Sequence, residues 1–315
     1  MCIRPESEPC PRDMTWFQTE FLDEIPGFFS GLLFKMGVSY QVEIKRSGLI
    51  IQSEKRKVKG KEILEICSDE QQTPAEFTAN NGFFESGVWH STICRNNIKT
   101  LESGRSCFRD KTIYFIGDST VRQWFVELAT FLRTSYQKVG RPETWSISRT
   151  ASDAANNFIM EYRAHGHPLH DPGKRASRLP IAETLSKIHA EDSRDIVVIF
   201  NVGAHFVLYD PDFFLDRLAA IRRALNSLKR RIPRVKIFVK GNVRSQDAPF
   251  LIPSEWLVYR LDRILRTFFN DITLIDSWSM TTVYPQKSVH ADRKLLRHFI
   301  SLFLSHLCTA PASET

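Results

Sequence analysis

The chain has 315 residues, of which 42% are hydrophobic and 25% charged, and carries a net charge of +7. This is globular composition, which excludes a largely disordered chain. No apolar run reaches the ~18 residues that a membrane-spanning helix needs. The positive surplus suits an anionic partner such as a nucleic acid, an anionic membrane or an acidic glycan, or else is spread over the surface without a specific partner.

Six cysteines occur: Cys2, Cys10, Cys67, Cys94, Cys107 and Cys308. The even number permits complete pairing, but the spacing does not give the connectivity. With no C-x-x-C pair a zinc ribbon is not expected, and no metal site is assigned. Disulfides in an extracytosolic compartment are the expectation, with buried reduced thiols as the alternative. Met1 to Asp13 is polar and contains Pro5, Pro9 and Pro11, so no signal peptide is expected there. There is also no N-x-S/T sequon.

Along the first 100 residues, Val38–Ile44 and Leu49–Gln52 read as strands. The basic run Lys55-Arg-Lys-Val-Lys-Gly-Lys61 reads as a solvated hairpin face or as a polyanion site. Beyond residue 110 the pattern becomes regular. Ile113–Ile116, Ile196–Phe200, Val235–Val239 and Ile272–Ile275 are short continuous apolar runs rich in β-branched and aromatic residues, as in strands buried on both faces.

Helical periods alternate with these runs. Val121, Trp124, Phe125, Leu128 and Leu132 share one face, as do Phe214, Leu218, Ile221, Leu225 and Leu228. Leu257, Leu261, Ile264, Leu265 and Phe268 form a third such face, and Leu296, Phe299, Ile300, Phe303 and Leu307 a fourth. Strands alternating with helices predict a parallel sheet covered on both sides, with chemistry at the carboxyl ends of its strands.

At the end of the first strand, Gly117-Asp118-Ser119-Thr120 opens a helix. Ser119 is therefore a nucleophile exposed on a sharp turn, beside backbone N–H groups able to hold an oxyanion, or simply a helix cap. After the second strand, Gly203 is placed to offer an oxyanion N–H and His205 to orient a substrate, unless they are an ordinary loop glycine and surface histidine. Asn242 follows the third strand, as an oxyanion donor or a turn residue. Asp276 follows the fourth. His290 precedes the last helix and is the candidate base, since a serine hydroxyl needs one and histidine serves near neutral pH.

Taken in order, these pieces resemble a known family. Gly117-Asp-Ser-Thr-Val-Arg-Gln-Trp124 resembles the first block of the PC-esterase branch of the SGNH/GDSL hydrolases, and more closely the neurexophilin and PC-esterase domain (NXPE) family. Ser86-Gly-Val-Trp-His90 with Cys94 resembles that family's upstream segment, and Asn201–Phe206, Gly241–Arg244, Ile275–Trp278 and Val289-His290 its later blocks. The resemblance spans about residues 85–308. It implies a three-layer α/β/α SGNH-like domain over 85–315, preceded by a small β-rich N-terminal extension over 1–84, a remnant of a neurexophilin-like β domain.

The resemblance further implies a glycan O-acyl esterase or O-acetyltransferase acting on a glycan or glycoprotein, with sialic acid among the acceptors, secreted or in the Golgi lumen. Hydrolysis would need no cofactor, and transfer would take acetyl-CoA as acyl donor. Carried over residue by residue, Ser119 is the nucleophile and His290 the base. Gly203 and Asn242 form the oxyanion hole, with His205 and Arg122 toward the substrate.

The chain departs from the pattern at one point. Active SGNH enzymes usually carry an Asp three residues before the histidine, and here that position is Lys287. Asp276 is assigned in its place as the partner of His290, with Asp292 or a backbone carbonyl as alternatives. A catalytically inactive SGNH-fold module binding glycan or protein is the second functional reading. The third is a polyanion-binding protein using Lys55–Lys61 with Arg222, Arg223, Lys229, Arg230 and Arg231; nucleic acid is not the favoured partner.

Overall fold

The computed structural model describes residues 64–69, 81–96, 101–139, 147–166, 179–190, 192–207, 209–244, 255–284, 286 and 288–308. The strands expected at Val38–Ile44 and Leu49–Gln52, the run Lys55–Lys61, Cys2, Cys10 and Lys287 lie outside these residues. The compact unit described begins at Leu64.

A hairpin of β1 (Gly82–Glu85) and β2 (Val88–Ser91) comes first. Its two-residue turn needs left-handed backbone at Ser86 (φ 48°) and Gly87 (φ 76°), the turn whose twist matches that of antiparallel strands. The main sheet follows: β3 (Lys111–Gly117), β4 (Tyr136–Val139), β5 (Ser148–Asp153), β6 (Phe158–Ala164), β7 (Asp195–Phe200), β8 (Lys236–Lys240) and β9 (Thr273–Ile275), in spatial order β4-β5-β6-β3-β7-β8-β9. Five strands, β6 to β9 through β3, are parallel. β4 and β5 extend the sheet antiparallel at one edge. The parallel sheet is as the apolar runs predict. The antiparallel extension is not, because Ser148–Asp153 is a polar segment.

Seven helices are described: α1 (Leu101–Phe108), α2 (Ser119–Phe131), α3 (Ile181–Ser186), α4 (Pro211–Arg231), α5 (Glu255–Phe268), α6 (Ser277–Val283) and α7 (Arg293–Leu307). Alternation along the strands splits the core into two layers. Phe115 and Phe238 meet Phe303 of α7, and Phe115 meets Phe125 of α2. On the other face Phe200 meets Phe269, just past α5. Phe214, Leu218, Ile221, Leu225 and Leu228 are the buried residues of α4, as their period predicts. Each such side chain contributes roughly 1.5–3 kcal/mol by leaving water.

On α5 the buried face is Leu257, Val258, Leu261, Asp262, Leu265 and Arg266, so it is rotated from the expected one and takes in two charges. On α2 the buried Glu127 accepts hydrogen bonds from Arg293 (3.0 Å) and Arg297 (3.0 Å) of α7, tying together the helix that Ser119 starts and the one that follows His290.

Disulfides join Cys67 to Cys94 and Cys107 to Cys308, and no described cysteine is free. The second bond fastens α1 to the end of α7 across a separation of 201 residues. No described helix is long and apolar enough to cross a membrane.

Candidate active site at the carboxyl edge of the sheet

The order of the parallel strands reverses direction at β3 and β7, and sites in such sheets form at that crevice. Ser119 follows β3 and Gly203 follows β7. The turn carrying Ser119 is shaped by its neighbours. Asp118 caps α2, accepting from Thr120 N (2.8 Å) and Thr120 Oγ1 (2.7 Å), while the Tyr162 hydroxyl donates to the carbonyls of Gly117 (3.3 Å) and Asp118 (3.2 Å). A side chain at Gly117 would press on Val121 Cγ2 (2.8 Å) and the Asn201 carbonyl (2.9 Å), which is why the turn has glycine there. The capping role falls to Asp118, so Ser119 is released from it.

His290 Nε2 lies 2.7 Å from Ser119 Oγ, across 171 residues of sequence. The loop holding the ring is pinned at several points. His290 N donates to Ser288 Oγ (3.1 Å), Asp292 N to Gln286 Oε1 (3.1 Å), and Gln123 Nε2 of α2 to the Ala291 carbonyl (3.1 Å). Asp292 caps α7 by accepting from Leu295 N (2.8 Å). Partial burial and the positive charge of Arg122 hold His290 below its ordinary pKa, against the opposing pull of Asp118. Arg122 thus stands close enough to act on the imidazole.

The assignment of Asp276 is corrected by the structure. It caps α6, and its carboxylate accepts from Ser279 N (3.0 Å), Ser279 Oγ (2.6 Å), Asn81 Nδ2 (2.6 Å) and Arg266 Nη2. Burial disfavours its charge, but Arg266 and Ser279 outweigh that and keep it ionised to unusually low pH. The carboxylate serves a buried ion pair and makes no hydrogen bond to His290. Among the described residues no carboxylate bonds to the His290 ring, so Ser119 and His290 form a dyad.

Gly203 and Asn242 come together. A methyl on Gly203 would occupy the space of the Asn242 side-chain amide. Asn242 Oδ1 accepts from Asn201 Nδ2 (3.2 Å), whereas Asn242 Nδ2 is buried without an acceptor. A buried donor left unpaired is costly unless something else accepts from it. His205 sits in a single 3₁₀ turn (Ala204–Phe206), its ring 4.9 Å from that of His165.

His165 follows β6 and was not singled out in the sequence; only its place after a strand could have drawn attention to it. Both histidines, with Lys240 and the Thr120 hydroxyl, outweigh burial and hold Asp118 below the ordinary carboxylate range. Within the basic cluster of α4, Arg222 pairs with Asp271, and Arg231 donates to the carbonyls of Leu185, Ser186 and Ile188. These two arginines have structural work.

The carboxyl edge of the sheet thus holds a hydroxyl paired with an imidazole at a helix N-terminus, and a buried amide donor, Asn242 Nδ2, packed against Gly203 after the neighbouring strand. The family described as NXPE family member 4-like, C-terminal domain, matches residues 89–308. Similar solved structures include the following three. A lipase/acylhydrolase from Enterococcus faecalis is 14% identical, with a TM-score of 0.33, covering 62% of this chain and 93% of that one. A GDSL-like lipase from Parabacteroides merdae is 13% identical, with a TM-score of 0.36, covering 68% and 99%. A catalytic mutant of the acetylxylan esterase Axe2 from Geobacillus stearothermophilus is 12% identical, with a TM-score of 0.31, covering 64% and 96%.

Proposed function

This chain belongs to the NXPE family, through a C-terminal domain like that of family member 4, and on that premise we propose that it moves an acyl group to or from a sugar hydroxyl through a Ser119–His290 dyad. The observation that carries the reading is the 2.7 Å contact between His290 Nε2 and Ser119 Oγ. His290 takes the hydroxyl proton as Ser119 Oγ bonds to the acyl carbon. The carbonyl π pair moves onto its oxygen, which accepts from the N–H groups at Gly203 and the start of α2 and from Asn242 Nδ2. Collapse expels the leaving group, which takes the proton from His290 and leaves an acyl-serine. Water or an acceptor hydroxyl then gives its proton to His290 as its oxygen bonds to the acyl carbon, and the acyl–Oγ bond breaks as His290 returns that proton to Ser119 Oγ.

The substrate we infer is an O-acetylated glycan, sialic acid included, with acetyl-CoA as donor when the reaction runs as transfer. Two disulfides suit an oxidising compartment, secreted or lumenal. The family assignment, the α/β sheet and the dyad at its switch point are what support an SGNH-type esterase or acyltransferase; the glycan is the finer part of the proposal.

One observation favours a second reading, a module that binds glycan or protein without turnover: no described carboxylate orients His290. In a triad such a group fixes the tautomer of the histidine and stabilises its charged form. The experiment is release of acetate from O-acetylated sialoglycans by purified protein, and transfer to desacetyl glycan when acetyl-CoA is supplied. Turnover that disappears in Ser119→Ala supports the enzyme. Glycan binding without turnover, unchanged in Ser119→Ala, supports the module.

A further inference from the structure

Two fully buried charges of opposite sign flank the residues that follow β8. Lys240 is 1% exposed and Asp262, on α5, is 0% exposed. Both act on one peptide group. Lys240 Nζ donates to the Gly241 carbonyl (3.1 Å), and the N–H at the other end of that same peptide, Asn242 N, donates to Asp262 Oδ1 (2.7 Å). Resting on the acyl-transfer reading above, we propose that Lys240 and Asp262 are positioning residues that clamp the Gly241–Asn242 peptide between an ammonium and a carboxylate, and so fix the Asn242 amide as the oxyanion donor.

Two observations and one general principle converge on this role. First, the rest of Asn242 is held as tightly: its Oδ1 is bonded to Asn201, whose Nδ2 also donates to the Lys240 carbonyl (2.8 Å), and its side chain fills the space that a side chain on Gly203 would need. The only polar atom of that side chain left unpaired is Nδ2, the one an oxyanion would use. Second, the clamp is itself anchored. Arg266 Nε donates to Asp262 Oδ2 (2.7 Å), and Arg266 Nη2 to Asp276, whose other oxygen is bonded to Ser279 and to Asn81 beside the hairpin. Asp276 therefore belongs to the oxyanion side of the site, not to the histidine. Third, hydrogen bonds to charged groups in a dry interior are about twice as strong as neutral ones, and preorganised donors are what such a site needs.

The groups facing Lys240 are Asp118 at the cap of α2, Asp262 on α5, the Trp124 ring of α2 (5.7 Å to its centroid) and the Gly241 carbonyl. Burial lowers its pKa to about 8 although Asp118 and Asp262 pull the other way. The ammonium end of the clamp is thus lost as pH rises past about 8.

The test is the rate at which a fluorophosphonate ester labels Ser119, because the phosphoryl oxygen occupies the oxyanion position. Lys240→Met, which keeps the apolar stem, and Asp262→Asn are each expected to slow labelling about tenfold or more. Placed on Asn242→Ala, each should add less than about twofold, since the donor they position is already gone. Wild-type labelling should decline above about pH 8, a measurement that needs no variant and stands if Lys240→Met fails to fold.

Folded variants that label at the wild-type rate overturn the proposal. So do equal losses with and without Asn242, or a wild-type rate flat from pH 7 to 10. Wild-type protein that does not label at all overturns the serine reading itself, and the clamp with it.

Discussion

Gln123 Nε2 donates to the Ala291 carbonyl at 3.1 Å, a bond from the first turns of the helix that Ser119 opens to the residue after His290. It links the helix that carries Ser119 to the loop that carries His290 through a single side chain. No described carboxylate bonds to the His290 ring, and this bond anchors the loop that carries it. Gln123→Ala should slow labelling of Ser119 about tenfold or more, since small misplacements of a catalytic group are costly, with a thermal midpoint near that of the wild type. Labelling at the wild-type rate would show that the loop is held by its other contacts alone.

The second prediction concerns pH. A general base must be neutral, so the rate is full above the pKa of His290 and falls as pH drops through it. Partial burial and Arg122 both lower that pKa from 6.5, with Asp118 opposing. The acid limb of the labelling rate should therefore lie below pH 6.5, and Arg122→Gln should move it to higher pH. A wild-type limb above 6.5, or one that does not move in Arg122→Gln, would contradict the assignment.

Gly203→Ala tests the oxyanion wall. The added methyl meets the Asn242 amide, so Asn242 must turn away. Labelling should fall on the order of 10²-fold, the usual cost of losing one oxyanion donor. Wild-type labelling in a folded Gly203→Ala protein would remove Asn242 from the site.

The disulfides give a prediction about stability. Non-reducing peptide mapping should recover Cys67 linked to Cys94 and Cys107 linked to Cys308. Replacing both Cys107 and Cys308 by Ala opens a loop of 201 residues and should cost on the order of 3–5 kcal/mol in denaturant unfolding. Free thiols at all four positions in native protein would contradict the fold's cross-links.

The sequence showed some of this and hid the rest for physical reasons. The central strands were legible because burial on both faces makes them apolar throughout, and the position of Ser119 after the first of them left a helix cap and a nucleophile both open until the structure gave the capping role to Asp118. Ser148–Asp153 was not, because a strand near the sheet's edge is held by backbone pairing and keeps polar side chains. The face of α5 was misread because Asp262 and Arg266 look like solvent residues until Asp276, ten positions beyond Arg266, is brought to them. The same pairing defeated the choice of Asp276 as the partner of His290. An aspartate after a strand caps the next helix or meets a buried arginine, and no local pattern distinguishes those roles from a catalytic one. The proximity of His290 to Ser119 came from the order of the family's blocks, not from periodicity.

The central claim is that Ser119 is a nucleophile activated by His290, and mass spectrometry of the folded protein after exposure to a fluorophosphonate tests it most directly. The account predicts one adduct, located on Ser119, absent in Ser119→Ala and formed on the order of 10³-fold more slowly in His290→Ala. No adduct in folded wild-type protein, or labelling of equal extent in Ser119→Ala, would contradict it.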